Sequence, residues 1–469
     1  MVNEQRFSNQ IACPATRLMS WVGEIEPVEP WAWLELAASV GQGWWGFWSE
    51  PEQSLVLAAV GVAEMVEGDE PLPYPGLVER CQQVLEQVET ESAGAPEWAT
   101  GPLLLGGMRF DPCAPRRPPW KAWPGYRFVL PRWMLTLQYG RAWLTMNRRC
   151  TEDEADGPGA AEAWQAMQRQ LAEAHCLGDD QVSPEVPRPV PGVLEVADPD
   201  ADRWMAAVGW AAREIARGEY RKVVLARSLQ VRATSNWQRQ PVLAHLLTTE
   251  RGSYRFGFGR GRQWFVGASP ERLVRRQGDQ ILVTCLAGSM RRGQTAVEDE
   301  ALAQGLLRDA KNRVEHALVV DAVASAVRRV ADRVQVASEP VLYGLPNVWH
   351  LYTPVSGHCG QRTSVLSAAT ALHPTPAVGG WPQAVALEKI RHYEGFDRGW
   401  YGAPVGWVDA HGHGEFAVAI RSALLESDCA WLYTGCGVVG DSDPVSEMAE
   451  SRWKLRTMLG ALAVDGHGY

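Results

Sequence analysis

"CAWLYTGCGVVGDSDPVSEMAESRWKL", residues 429–455, reads as a strand that enters a glycine-rich loop and emerges as a helix. Asp443 suits an N-cap and Pro444 the first helical position. Gly460, after "LRTML", suits the stop. At 100° per residue, Glu447, Glu450 and Lys454 fall within one narrow sector, while Met448, Leu455 and Leu459 fall on another. The helix is therefore amphipathic, with a carboxylate-rich stripe. Taken alone, the stripe needs no more than an exposed Glu450–Lys454 pair at i,i+4, worth ~0.3–0.5 kcal/mol. The bare amides of "TGCGVVG" (434–440), set beside a helix N-terminus, also suit an anion.

Working outward, "KVVLARSLQVRA" (222–233) and "DQILVTCLAGSM" (279–290) read as strands, and "RFGFGRGRQWFVGASPERLV" (255–274) as a hairpin. "GWVDAHGHGEFAVAIRSALL" (406–425) reads as two strands around a Gly-rich turn. Helical spacing runs through Trp204, Val208, Ala211 and Ile215, with Gly218 to end it, and a long helix is predicted from about Glu298 to Val334. Before them, residues 1–182 are strand-rich, with "SLVLAAVGVAEMV" (54–66), "WMLTLQYGRAWLTM" (133–146) and a helix in 159–176. "SPEVPRPVPG" (183–192) holds four prolines in ten residues and marks a linker or domain edge. Strands and long helices come in blocks, which predicts an α+β fold.

The chain has 469 residues, 46% of them hydrophobic, enough for a large core. Its net charge of -10 argues against a nucleic-acid surface, which needs concentrated Lys and Arg. Nine dispersed cysteines without CxxC or zinc spacing suggest reduced thiols in a cytoplasm. The N-terminus has no hydrophobic signal core, and no apolar run reaches membrane-spanning length. The 22 tryptophans are read as packing.

Several residues invite a chemical reading against a plainer one. Gly257, Gly259 and Gly261 lack the GxGxxG spacing and read as a turn. Asp409, His411 and His413 read as a hairpin tip, not a metal site. Lys222 at the mouth of a strand is either a snorkelling lysine or a base. Glu271 is either a turn carboxylate or an acid. Glu315 is either a partner of Lys311 or a ligand. In combination, Glu315 and Glu450 offer hard oxygens from two helices, which suits Mg²⁺ with a substrate anion. Arg421 and Lys454 add positive charge for a carboxylate.

"KVVLAR", "FVGASPERL", "LAG" with "RRG", "KNRVEH", "ALHPTPAVGG", "FDRGWYGAPVGW" and "SDPVSEMAESRWKL" occur in this order. As a set they resemble the chorismate-utilising enzymes, most closely the isochorismate synthases, from about Asp200 to Leu462. "GGMRFDP" (106–112) and "FVLPRWML" (128–135) are similar to the longer, menaquinone-pathway members. The resemblance implies a large α/β sandwich of packed antiparallel sheets flanked by helices. A catalytic domain at 200–469 would carry the site, with 1–182 packed into the same body. It implies Mg²⁺ as cofactor, chorismate as substrate, no membrane or nucleic-acid partner and no glutaminase subunit.

The resemblance also assigns roles. Glu315 and Glu450 match the direct metal ligands, and Glu447 an outer helper. Lys222 matches the lysine that activates water for attack on ring carbon C2. Glu271 matches the acid that protonates the departing C4 hydroxyl. His350, Thr375, Tyr401, Arg421, Gly435, Gly437 and Lys454 match positions around the substrate. Salicylate-forming relatives, the runner-up, place another acid where this chain has Asn312, and "HPTPAVGG" favours stopping at isochorismate. Anthranilate synthases usually lack the strand lysine. Aminodeoxychorismate synthases carry a lysine where this chain has Ala287. A non-catalytic protein on this fold would be expected to lack Lys222, Glu271, Glu315 or Glu450.

Overall fold

A computed structural model describes residues 16–464, apart from 31–32, 35–42, 52–53, 70–73, 93–97, 152–157, 182–189, 345–347 and 361–362. Most of the proline-rich stretch 183–192 lies outside the described residues.

One hydrogen-bonded ladder organises the chain. From Lys222–Ala233 it passes to Cys429–Val438, Ser422–Glu426, Gln263–Ser269 and Tyr254–Arg260. It continues through Trp44–Ser49, Leu55–Gly68 and Tyr126–Gln138. There it divides. One arm is Arg141–Thr151, Thr16–Ile25 and Val88–Ser92. The other runs through Leu103–Met108, Pro404–Asp409 and Gly414–Val418 to Arg272–Gln277, Gln280–Arg291 and Val348–His358. Among the described strands every pairing is antiparallel except Thr16–Ile25 with Val88–Ser92. The sheet curls, so strands far apart along the ladder line one cavity. This is the α+β sandwich expected from the sequence. Residues before 182 and after 200 share the ladder at two places, through Trp44–Ser49 with Tyr254–Arg260 and Leu103–Met108 with Pro404–Asp409.

Helices cover the strands that carry the site. Ala310–Val327 packs on Gln280–Arg291, Pro444–Ala461 on Cys429–Val438, and both Ala201–Ala216 and Gln383–Tyr393 on Lys222–Ala233. The strand Lys222–Ala233 is buried at nearly every position. Two covered faces explain its near-continuous apolar sequence. Most of the described tryptophans are buried. Several meet edge to face, as Trp98 with Trp407 at 5.0 Å and Trp123 with Trp400 at 5.5 Å. No helix among the described residues is long and apolar enough to cross a membrane.

Four local expectations are corrected. The long helix of 298–334 is two helices, Ala296–Arg308 and Ala310–Val327, followed by the strand Asp332–Val336. Asp309 breaks it: its backbone is extended, and its carboxylate accepts the Asn312 N–H as an N-cap. The 255–274 stretch forms three strands, because Pro270 and Glu271 interrupt the pairing. The 406–425 stretch also forms three, the last being Ser422–Glu426. Finally, the helix Pro444–Ala461 runs through Gly460 instead of stopping there. Its start is as read, with Asp443 accepting from the Ser446 N–H at 2.8 Å. The Asp409 carboxylate accepts the N–H groups of His411 and His413, the geometry of a tight turn.

The helix Pro444–Ala461 is held by its apolar face, where Leu455 is buried and Val445 is 71% exposed. Leu455→Ala should cost ~2–5 kcal/mol. Val445→Ala should stay within ~0.5 kcal/mol. Urea unfolding followed by circular dichroism would check the contrast.

Candidate active site

Lys222 is the first residue of its strand and its backbone faces Trp381. The side chain is 1% exposed. It does not snorkel to solvent: its Nζ donates to Glu315 Oε1 at 2.7 Å. Next door, the paired strand brings Gly437 opposite Val224 and Gly435 opposite Ala226. A Cβ on Gly437 would lie 2.9 Å from both Glu315 Oε1 and Lys222 Cε. Any side chain there would crowd the Lys222–Glu315 contact. A Cβ on Gly435 would stand 3.2 Å from the Tyr401 hydroxyl.

The helix after the glycine loop turns its carboxylates into the same space. Glu447 is buried and accepts from the Ser442 hydroxyl at 2.8 Å. Glu450 pairs with Lys454 at 2.6 Å, and Lys454 also donates to the Gly435 carbonyl at 3.0 Å. The i,i+4 pair of the plain reading therefore exists, but inside a cavity of about 250 Å³. Burial works against the Lys454 ammonium more than any other single cause, yet Glu450 and Cys436 together carry the net shift upward.

The far end of the ladder supplies the opposite components. Glu271 follows Pro270 at the head of a strand, anchored by its own N–H to Ser269 Oγ and by its carbonyl to the Val418 N–H. Burial pushes its carboxyl up to about 8, against the pull of Lys222 and Lys454. At neutral pH it holds a proton. His350 is pushed down to about 3, first by burial and then by Arg421 and Lys454, and is neutral. One ring nitrogen, Nδ1, meets Ser289 Oγ at 2.9 Å. Arg421 sits at φ +52°, a left-handed conformation uncommon for arginine. Tyr401 stacks on Tyr433 with ring centres 5.4 Å apart.

All the predicted site residues line this one cavity except Thr375. Thr375 is buried behind the wall, where its carbonyl accepts the N–H groups of Val378 and Gly379. Ala377 and Val378 present the turn to the cavity instead. Sequence reading assigned no role to Tyr433 or Ser289, which also line it. Tyr433 lies two residues before Gly435 on one strand, and that period of two was the available signal, whereas the register shift between Ala287 and Ser289 hides it for Ser289.

The donor set bears on a metal. Cys436, Glu447 and Glu450 bring one ligand atom each within 4.8 Å of one another, and Glu315 lines the same cavity. Burial drives the Cys436 thiol well above its ordinary value, so it stays protonated. That leaves hard carboxylate oxygens, the ligands Mg²⁺ prefers. The cationic Lys454 and Arg421 suit a substrate carboxylate. The protonated Glu271 suits a leaving group that needs a proton.

Residues 5–463 match the family described as "Chorismate binding enzyme". This chain belongs to that family. Among chorismate-binding enzymes, isochorismate synthase MenF of Bacillus subtilis is 36% identical over 455 residues, covering 95% of this chain and 93% of its own. The salicylate biosynthesis isochorismate synthase of Pseudomonas aeruginosa is 36% identical over 425 residues, covering 90% and 85%. Among solved structures, DhbC from Bacillus anthracis superposes with a TM-score of 0.70 at 29% identity, over 92% of this chain and 99% of that one. MenF, the menaquinone-specific isochorismate synthase of Escherichia coli, gives 0.73 at 24% identity over 95% of each chain, a likeness of fold.

The raised Glu271 carboxyl sets two outcomes. The folded state keeps this proton to about pH 8, whereas the unfolded chain loses it near 4.5. Its contribution to stability is thus full below about pH 4.5 and lost as pH rises through about 8. Glu271→Gln has no such loss. Its stability should match the parent's near pH 4.5 and exceed it near pH 9, by on the order of a few kcal/mol. Turnover should fall by ~10²–10⁴, because an amide cannot supply the proton. Thermal melts and initial rates across that pH range would check both.

Proposed function

We propose that this chorismate-binding enzyme is an isochorismate synthase: water adds at ring carbon C2 of chorismate and the C4 hydroxyl leaves as water. The observation that carries the reading is the meeting of Lys222 and Glu271 in one cavity whose wall at position 287 is alanine. A second lysine at that position would favour an amine-forming relative. Lys222 takes the proton from the attacking water as the neutral amine, having first given up the proton that pairs it with Glu315, and Glu271 gives its proton to the departing oxygen. Arg421 and Lys454 hold the carboxylates, with Tyr401 and the Gly435–Gly437 strand setting the ring's position. His350, being neutral, orients substrate as a hydrogen-bonding group and not as a charge. Thr375 supports this wall from behind.

We propose Glu315 and Glu450 as the direct ligands of a Mg²⁺, with Glu447 acting through water. When bound, that ion would withdraw charge from the ring carboxylate during the allylic displacement. Both glutamates are engaged by lysines in this structure, so the protein already balances their charge with its own cations. The menaquinone branch is the one we place first, on the match of nearly the whole chain to MenF of Bacillus subtilis. The dispersed cysteines lead us to place the enzyme in the cytoplasm.

Purified protein with chorismate and Mg²⁺ should give isochorismate with no requirement for ammonia or glutamine, as read by chromatography. Salicylate and pyruvate in equal amounts would indicate the salicylate-forming alternative, and an aminated product would overturn both. A chelator should abolish turnover. Glu450→Gln and Glu315→Gln should lower Mg²⁺ affinity and activity together, and Glu447→Gln should do so more mildly. Activity titrated against Mg²⁺ for the three variants would check the ligand assignment. Unchanged Mg²⁺ dependence in the first two would refute it.

A further inference from the structure

The segment 109–124 belongs to the N-terminal half, yet it grips the loop 395–401 that ends in Tyr401. Arg109 is buried and spans both oxygens of the Asp397 carboxylate at 2.8 and 2.9 Å. The same carboxylate accepts the Arg117 backbone N–H at 3.1 Å and the Gly399 N–H at 2.8 Å. The Phe110 N–H donates to the Gly399 carbonyl at 2.8 Å. Arg117 Nη1 donates to the Gly395 carbonyl at 2.6 Å, and the Trp400 indole to the Pro124 carbonyl at 3.0 Å. Gly399 sits at φ +54°, and a Cβ there would stand 1.9 Å from the Trp120 ring. Its left-handed turn is thus pinned on one side by Arg109 and Asp397 and on the other by Trp120. Two residues on, Tyr401 receives its position from that turn, its own N–H donating to the Arg398 carbonyl at 2.9 Å.

Opposite the clamp, Arg398 reaches inward. It donates to the Val224 carbonyl on the Lys222 strand at 2.7 Å and to the Val378 carbonyl at 2.9 Å. The loop is therefore held between the N-terminal segment and the two walls that carry Lys222 and Val378. We infer that Arg109 is a positioning residue for substrate binding: through Asp397 and Gly399 it fixes where the Tyr401 hydroxyl stands in the cavity. The N-terminal half thereby takes part in the site without touching it. This rests on Tyr401 facing the substrate, as proposed above.

Arg109→Lys keeps the charge on a shorter side chain and so withdraws Nη2, the one nitrogen that meets both Asp397 oxygens. It is expected to raise the KM for chorismate about tenfold, the loss of one charged hydrogen bond. Its kcat should stay within about twofold, which a general loss of folded enzyme would not leave unchanged. Tyr401→Phe is expected to raise KM as well, and combining the two should raise it no further than Tyr401→Phe alone. Full additivity, or an unchanged KM in folded Arg109→Lys, overturns the inference while the reading of Tyr401 stands. An unchanged KM in Tyr401→Phe overturns both. If Arg109→Lys does not fold, Arg117→Ala is the second variant, since its exposed side chain is dispensable to the core. It is expected to raise KM about fivefold for the lost bond to Gly395, and an unchanged value overturns the inference.

Discussion

The site depends on how closely two strands and a helix can approach at Gly437. Its strand pairs with Lys222–Ala233 in fixed antiparallel register, so Gly437 lies across from Val224 and beside the Lys222 side chain. A methyl group there would press on both Glu315 and Lys222. Because Cβ atoms alternate across a strand, Gly435 and Gly437 fall on the same face. That face is where Lys454 reaches the Gly435 carbonyl and where the Tyr401 hydroxyl stands. Everything the helix Pro444–Ala461 contributes is then delivered by a short loop from the same strand. A slip of one residue in that pairing would turn the glycines to the opposite face and close the cavity.

Charge in the cavity is managed by pairing. Lys222 meets Glu315 and Lys454 meets Glu450, while Glu271 escapes the cost of a buried charge by keeping its proton. These are different solutions to one problem, the expense of an ion in a poorly hydrated space. Arg421, half-buried at the cavity, is drawn below its ordinary value by loss of solvent but stays charged. Glu447 lines the same cavity, so three cations share it with three carboxyl groups besides the protonated Glu271.

Much of this was legible in the sequence because local signals agreed. Asp443 and Pro444 start their helix as read, and Lys222–Ala233 is a strand over the residues its apolar run marks. Composite motifs brought most of the cavity residues together before any geometry was known. The misreadings have specific physical causes. Asp309 looks like one more polar residue in a helical pattern, yet its side chain caps the following helix and breaks the preceding one. Gly460 is helical because Leu459 and Ala461 on either side are buried, and tertiary packing outweighs the glycine penalty. Thr375 carries the right motif, but the turn it initiates places Ala377 and Val378 in front of it. The clamp on Tyr401 was invisible, since Arg109 and Asp397 are 288 residues apart and nothing local links them.

The structure also keeps features that a protein selected only for stability would shed. Arg421 occupies a left-handed backbone conformation, Glu271 is an acid buried without a neutralising partner strong enough to ionise it, and the Thr375 hydroxyl is buried with no hydrogen-bond partner among the described residues. Each costs folding free energy, and each lies in or against one cavity. Elsewhere, several buried charges are paired, Arg109 with Asp397, Arg398 with Glu394 and Arg227 with Asp198, although burial and the neighbouring Glu415 push the Glu50 carboxyl up to about 9. Unpaired buried polar atoms also occur away from the cavity, Ser20 Oγ, Thr145 Oγ1 and Asn147 Oδ1 among them, so such atoms mark function only together with the cavity's other features. Arg398 joins the two regimes, since it is fully paired and yet ties the Lys222 strand to the loop that places Tyr401. Rigidity in the paired network is what allows the unpaired residues to keep geometries they would otherwise relax from.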